Sequence, residues 1–130
     1  MPHCWPVRVY YEDTDLAGIV YYANYLRFIE RARTEWIREL GIDQNRLKDE
    51  QGAVFAVRRI EADYLSPAKF DDMLIVTTAP ARLTPARIEL DQQILRDGAV
   101  LFAARVTLAC LGPDMRPRRL PRDLAAVMAG

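Results

Sequence analysis

The stretch from Asn24 to Leu40 restricts the fold of this 130-residue chain more than any other. Tyr25, Leu26, Phe28, Ile29, Ala32, Trp36, Ile37 and Leu40 recur at helical spacing, so one side of a helix is apolar along its whole length. The pattern predicts a helix of about four to five turns. Asn24 is positioned to cap its start, Gly41 to end it, and Glu30–Arg33 and Arg31–Glu35 to pair along its wet face. A stripe this broad must be covered by a layer of comparable area.

The rest of the chain supplies that layer. Val7 to Glu12 alternates apolar and polar residues, as a half-buried strand does. A short polar helix is expected from Asp43 to about Gln51, and beyond Gly52 the period changes to two over Ala53–Leu65, Met73–Thr84, Ala86–Arg96 and Ala99–Leu111. Asp97-Gly98 is a two-residue hairpin signal, and Ser66-Pro67 and Pro85 mark the other turns. Short connections imply antiparallel pairing. Val100, Phe102, Ala104, Val106, Leu108 and Cys110 fall on one face of the last strand, which is expected to meet the helix. The tail from Gly112 to Pro121 reads as irregular and Arg122–Ala129 as a final short helix. The fold class expected is α+β, one long helix against a curved antiparallel sheet of about five strands, in one domain spanning 1–130.

In the strand from Ala53 to Leu65, Val54, Ala56, Ile60, Ala62 and Tyr64 are expected to face the core, with Phe55 and Val57 making the opposite face apolar as well. A strand apolar on both faces points to a subunit contact or a ligand groove. Arg58 interrupts the pattern and must meet a carboxylate or a bound anion.

Composition excludes several function classes. With 18 Lys+Arg against 18 Asp+Glu, the chain lacks the basic excess that nucleic-acid binding draws on. Cys4 and Cys110 form neither a disulfide framework nor a metal-type pair, and they read as free thiols of a cytoplasmic protein. No apolar run is long enough for membrane insertion. The one histidine, His3, sits between Pro2 and Cys4 near Pro6 in what reads as an irregular leader, so no Ser-His-Asp triad, Cys-His pair or multi-histidine zinc site is expected. No metal, phosphate-loop or dinucleotide signature is present, and no cofactor is called for. Chemistry is left to carboxylates, backbone donors and tyrosine.

Such groups cluster between Tyr11 and Tyr25. Asp13 and Asp15 end a strand, Gly18 lies in the loop, and a long helix starts just beyond. Free N–H groups and the dipole at a helix start favour developing negative charge, so a carboxylate would face an oxyanion site. The same residues also suit a simple Asx turn at a chain reversal.

From Tyr10 to Trp36 the chain reads YYEDTDLAGIVYYANYLRFIERARTEW, which resembles the signature of hotdog-fold acyl-CoA thioesterases of the 4-hydroxybenzoyl-CoA thioesterase type, especially the Tol-Pal-associated branch. The resemblance continues through Val57–Ile60, Asp63–Asp72 and Arg116–Pro121. It implies a hotdog fold and hydrolysis of an acyl-CoA, with acyl carried on acyl carrier protein as a second substrate. It also implies that Asp15 is the catalytic carboxylate, Asp13 is structural, and the backbone N–H of Tyr22 polarises the thioester carbonyl. Several members carry histidine where Tyr22 stands, which shifts weight here onto Asp15 and the main-chain donor. Gly18 then serves a tight loop, while Ser66 and Pro67 line the groove, from the neighbouring subunit of a homodimer or homotetramer. Coenzyme A phosphates call for basic residues, with Arg58, Arg59, Arg82, Arg118, Arg119 and Arg122 as candidates and Arg58, Arg59 and Arg118 foremost. Another hotdog branch uses a carboxylate on the helix, here Glu30, which reads better as a surface partner. The competing function is a non-catalytic acyl or coenzyme A binding module. A hotdog dehydratase would need a better placed histidine than His3.

Overall fold

The computed structural model describes residues 2–129. A five-stranded antiparallel sheet is built from β1 (His3–Arg8), β2 (Val54–Tyr64), β3 (Met73–Leu83), β4 (Arg87–Arg96) and β5 (Ala99–Leu111), in the order β1-β3-β4-β5-β2. Helix α1 (Asn24–Glu39) lies across β1, β3 and β4; α2 (Gln44–Gln51) packs on β2, and α3 (Arg122–Ala129) on β3. This is the expected α+β arrangement of a long helix against an antiparallel sheet. No described helix is long and apolar enough to cross a membrane.

The apolar stripe of α1 does what its spacing requires. Tyr25, Phe28, Ile29, Ala32, Trp36 and Ile37 are all buried, against Leu74 and Val76 of β3, Ile88, Leu90 and Ile94 of β4, and the even-numbered face of β5 from Phe102 to Cys110. Each large apolar side chain so covered contributes about 1.5–3 kcal/mol. Tyr25 stacks on Phe102 with ring centroids 5.3 Å apart. Asp97 and Gly98 both adopt positive φ, 51° and 82°, as a tight hairpin of this kind needs. Gly41 ends α1 in the left-handed region, and Asp43 caps α2 by accepting from the N–H groups of Asn45 and Arg46.

One polar bridge crosses the core. Gln92 of β4, fully buried, donates to the Ile29 carbonyl and the Thr78 hydroxyl, each at 2.9 Å, and accepts from Arg33 Nη1 at 3.0 Å. Burial lowers the Arg33 pKa from its ordinary value, against the nearby Glu30 charge. Arg33 therefore serves the core and not the expected pair with Glu30, whose Oε1 accepts from Thr34 instead. Likewise Glu35 pairs with Arg38 and not with Arg31.

Three further expectations are corrected. The first strand runs from His3 to Arg8, not from Val7 to Glu12, and Tyr11–Asp13 is a single 3-10 turn. β1 lies at a sheet edge, paired only with β3, so Pro6 opposite Ile75 leaves no ladder partner unmet on its outer side. His3 accordingly belongs to this strand rather than to a leader: its side chain is 11% exposed and its Nε2 lies 2.6 Å from Glu39 Oε2. In β2 the register against β5 shifts between Val57 and Arg59. The extra residue, Arg58, reverses the alternation, so Phe55 and Val57, opposite Cys110 and Leu108, share the core face with Ile60 and Ala62. Val54 and Ala56 fall on the opposite face, half-buried like Phe55, so the strand is apolar on both faces at that end, with the two sets of residues exchanged relative to the expectation.

Candidate active site

The chain leaves β1 and forms a small hairpin before α1. Asp15 N–H donates to Ile19 O, Tyr21 N–H to Asp13 O, and Thr14 bridges Val20 between them. The tip is a turn in which Gly18 N–H returns to Asp15 O at 2.9 Å while Gly18 takes φ 79°, a conformation that L side chains rarely adopt.

The two aspartates of this hairpin differ sharply. Asp13 is 6% exposed, and both of its oxygens are committed: Oδ2 accepts from Tyr10 N–H at 2.8 Å and Oδ1 from Asn24 Nδ2 at 2.9 Å. Asn24 is thus not the cap of α1. It is the first helical residue, its amide is turned to Asp13, and Ala23 precedes it with no side-chain cap. Asp15 is exposed, and one of its oxygens steadies the turn by accepting from Ala17 N–H at 2.9 Å. Among the described residues no donor takes its other oxygen.

Tyr22 stands between the hairpin and α1, and no acceptor among the described residues takes its backbone N–H. Its carbonyl accepts from the Tyr64 hydroxyl of β2 at 2.9 Å. The rings of Tyr21 and Tyr22 lie 4.9 Å apart, and the neighbouring Tyr22 is the main cause of the raised Tyr21 phenol pKa.

The segment after β2 completes the surroundings. Val20 N–H donates to Ala68 O, Ile19 bridges Lys69, and Ala68 N–H donates to the buried Tyr25 hydroxyl at 3.0 Å. Ser66 and Pro67 therefore flank the Asp15 hairpin within one chain, with Pro67 O held by Arg96. Leu16, Tyr21, Tyr22, Leu65 and Phe70 are exposed around it and give the site an apolar rim.

Asp15, Gly18, Tyr22, Ser66 and Pro67 are thus brought together. The candidate arginines are not. Arg58 and Arg59 line a hollow of about 600 Å³ with Arg82, Arg87, Thr84, Thr107 and Glu89, in the middle of the sheet and not at the Asp15 end. Arg59 also pairs with Glu61 at 2.9 Å. Arg118 donates to Gln51 O and Arg119 O, tying the tail to α2 at the far end of the sheet. Two contributors were not singled out from sequence. Tyr64 was visible only as a core-facing strand residue, and the role of Asn24 was hidden by its suitability as a cap.

A buried carboxylate thus joins the strand end to the helix start, beside an exposed one on a glycine turn, on a long helix packed against an antiparallel sheet. The family model of the Thioesterase-like superfamily matches residues 9–128, and the chain belongs to that superfamily. It is 43% identical over 123 residues to the acyl-CoA thioesterase YbgC of Haemophilus influenzae, covering 94% of this chain and 90% of the relative. It is 42% identical over 124 residues to the acyl-CoA thioester hydrolase YbgC of Escherichia coli O6:H1, covering 94% and 92%. The crystal structure of a probable thioesterase from Bartonella henselae superposes with a TM-score of 0.89 at 37% identity, covering 93% of this chain and all of the other.

The commitment of both Asp13 oxygens predicts that Asp13→Asn, which puts an NH2 group against an N–H donor, destabilises the protein by about 1–3 kcal/mol in chemical denaturation. Hydrolysis by the folded variant should survive in larger part than when Asp15 is changed.

Proposed function

We propose that this chain is an acyl-CoA thioesterase that hydrolyses a thioester to a free carboxylic acid and coenzyme A, with Asp15 as the catalytic carboxylate and the Tyr22 N–H as the donor to the carbonyl. The observation that carries the reading is the division of labour in the hairpin: Asp13 is buried with a hydrogen bond on each oxygen, while Asp15 is exposed with one oxygen uncommitted among the described residues, in the hairpin that leads into a helix without a side-chain cap.

Each part of the site then has a chemical task. Negative charge grows on the carbonyl oxygen as the thioester is attacked, and an N–H at the positive end of α1 is fixed in place to receive it. Asp15 supplies the charge that drives the attack. It either adds to the carbonyl carbon, expelling the coenzyme A thiolate and leaving an anhydride that water opens, or takes the proton from the water that adds. Both routes break the C–S bond and give the same acid and thiol. The apolar rim of Leu16, Tyr22, Leu65 and Phe70 suits an acyl chain or ring better than a charged group.

Finer features of the reading rest on the sequence. The Tyr10–Trp36 block supports a place near the 4-hydroxybenzoyl-CoA thioesterases and their Tol-Pal-associated branch, with acyl carrier protein as a second acyl donor. The free thiols of Cys4 and Cys110 suit the reducing cytoplasm. A homodimer, alone or doubled into a tetramer, is supported by β2, an eleven-residue edge strand without proline that pairs with no strand on its outer side among the described residues and whose Val57 and Tyr64 are 46% and 48% exposed.

The test of function is thiol release from a panel of acyl-CoA substrates. Asp15→Asn should abolish release while circular dichroism stays unchanged, since shape is kept and only charge is removed. Release by Asp15→Asn at near wild-type rate, or saturable coenzyme A binding with no turnover by the native protein, would contradict the proposal. Light scattering at micromolar protein should give a dimer or tetramer mass, and a fully active monomer would contradict the oligomer.

A further inference from the structure

The carbonyl of Tyr22 is left out of the α1 ladder. Leu26 N–H, four residues on and its regular partner in a helix, reaches the Ala23 carbonyl instead at 3.2 Å. The Tyr22 carbonyl is taken by the Tyr64 hydroxyl at 2.9 Å, across a sequence separation of 42 residues. On the other side, the backbone of Tyr21 is fixed through both of its polar groups: its N–H donates to Asp13 O and its carbonyl accepts from Asn24 N–H, each at 2.8 Å. The peptide that carries the Tyr22 N–H is therefore held before it by Asp13 and Asn24, and after it by one side chain from another element.

That side chain is itself braced. The Tyr64 ring meets Tyr25 and Phe102 edge-on, with centroids at 5.3 and 5.0 Å, and Tyr22 at 6.4 Å. Both Tyr25 and Phe102 are buried, so the phenol is aimed from a rigid base while its own outer edge stays open. Burial raises the Tyr64 pKa, helped by the neighbouring tyrosines Tyr22 and Tyr25, and a phenol is protonated and able to donate at neutral pH in any case.

We propose that Tyr64 is a positioning residue for the hydrolysis: by holding the Tyr22 carbonyl it sets the Tyr22 backbone angle that aims the Tyr22 N–H at the thioester carbonyl. The inference rests on the reading of Tyr22 as the oxyanion donor. Tyr64 touches no reacting atom in this role. Its contribution appears where the oxyanion develops, in the turnover step, and not in ground-state binding of the acyl-CoA.

Tyr64→Phe separates the hydroxyl from the ring. It keeps the contacts with Tyr25 and Phe102 and removes only the bond to Tyr22. The kcat for acyl-CoA hydrolysis should fall about tenfold, part of the 10²–10³ that complete loss of an oxyanion donor costs, while KM and the melting temperature stay near their wild-type values. Wild-type kcat in Tyr64→Phe, or a raised KM at unchanged kcat, would overturn the inference. Asp15→Asn measured alongside keeps the two ideas apart. An active Asp15→Asn would remove Asp15 as the catalytic carboxylate, whereas an inactive Asp15→Asn beside a fully active Tyr64→Phe would remove only the role of Tyr64.

Discussion

The hairpin that leads into α1 depends on one buried carboxylate, Asp13. Asp13 receives the Tyr10 N–H and the Asn24 amide on its two oxygens, and its own carbonyl receives the Tyr21 N–H. Three points of the chain are thereby gathered: the exit from β1, the return arm of the hairpin and the first turn of α1. A buried carboxylate is costly unless its lone pairs are filled, and filling them here fixes how the strand end faces the helix start. The glycine turn that carries Asp15 projects from that frame into solvent, and the Tyr22 peptide is what remains between the frame and the helix.

Helix and sheet set the scale on which this frame operates. The buried stripe of α1 locks the helix over β1, β3 and β4, and the Arg33–Gln92–Thr78 bridge pins its middle to β4 and β3. The N-terminus of α1 is therefore rigid relative to β2, from which Tyr64 reaches the Tyr22 carbonyl. A helix start and a short, hydrogen-bonded turn both hold their groups in fixed positions, which is what the proposed stabilisation of a developing oxyanion demands.

Most of the architecture was readable from local periodicity. The α1 stripe, the Asp97-Gly98 hairpin and the Asp43 and Gly52 ends of α2 are decided by residues a few positions apart. Features set by distant partners were not readable. Pro6 argues against a strand until β1 is known to lie at an edge. The bulge at Arg58 inserts one residue into an alternating pattern, and only the register with β5 reveals that Phe55 and Val57 turn inward. At the site, the run around Asp13, Asp15 and Gly18 read as a loop, which the structure closes into a hairpin joined within the chain to Ala68 and Lys69, just past Ser66-Pro67. An arginine, by contrast, carries no local sign of where its head will go: Arg118 ends on a helix carbonyl, and Arg58 and Arg59 join Arg82 and Arg87.

The central claim is that a main-chain N–H, and not a side chain, polarises the thioester at the position of Tyr22. Steady-state kinetics of Tyr22→Phe and Tyr22→Pro, with folding checked by circular dichroism, measures it directly. The phenylalanine variant keeps ring and donor and should retain nearly full kcat, whereas proline deletes the donor and should cost about 10²–10³ in rate. A large loss of kcat in Tyr22→Phe would show the phenol itself to be the acting group and contradict the backbone assignment.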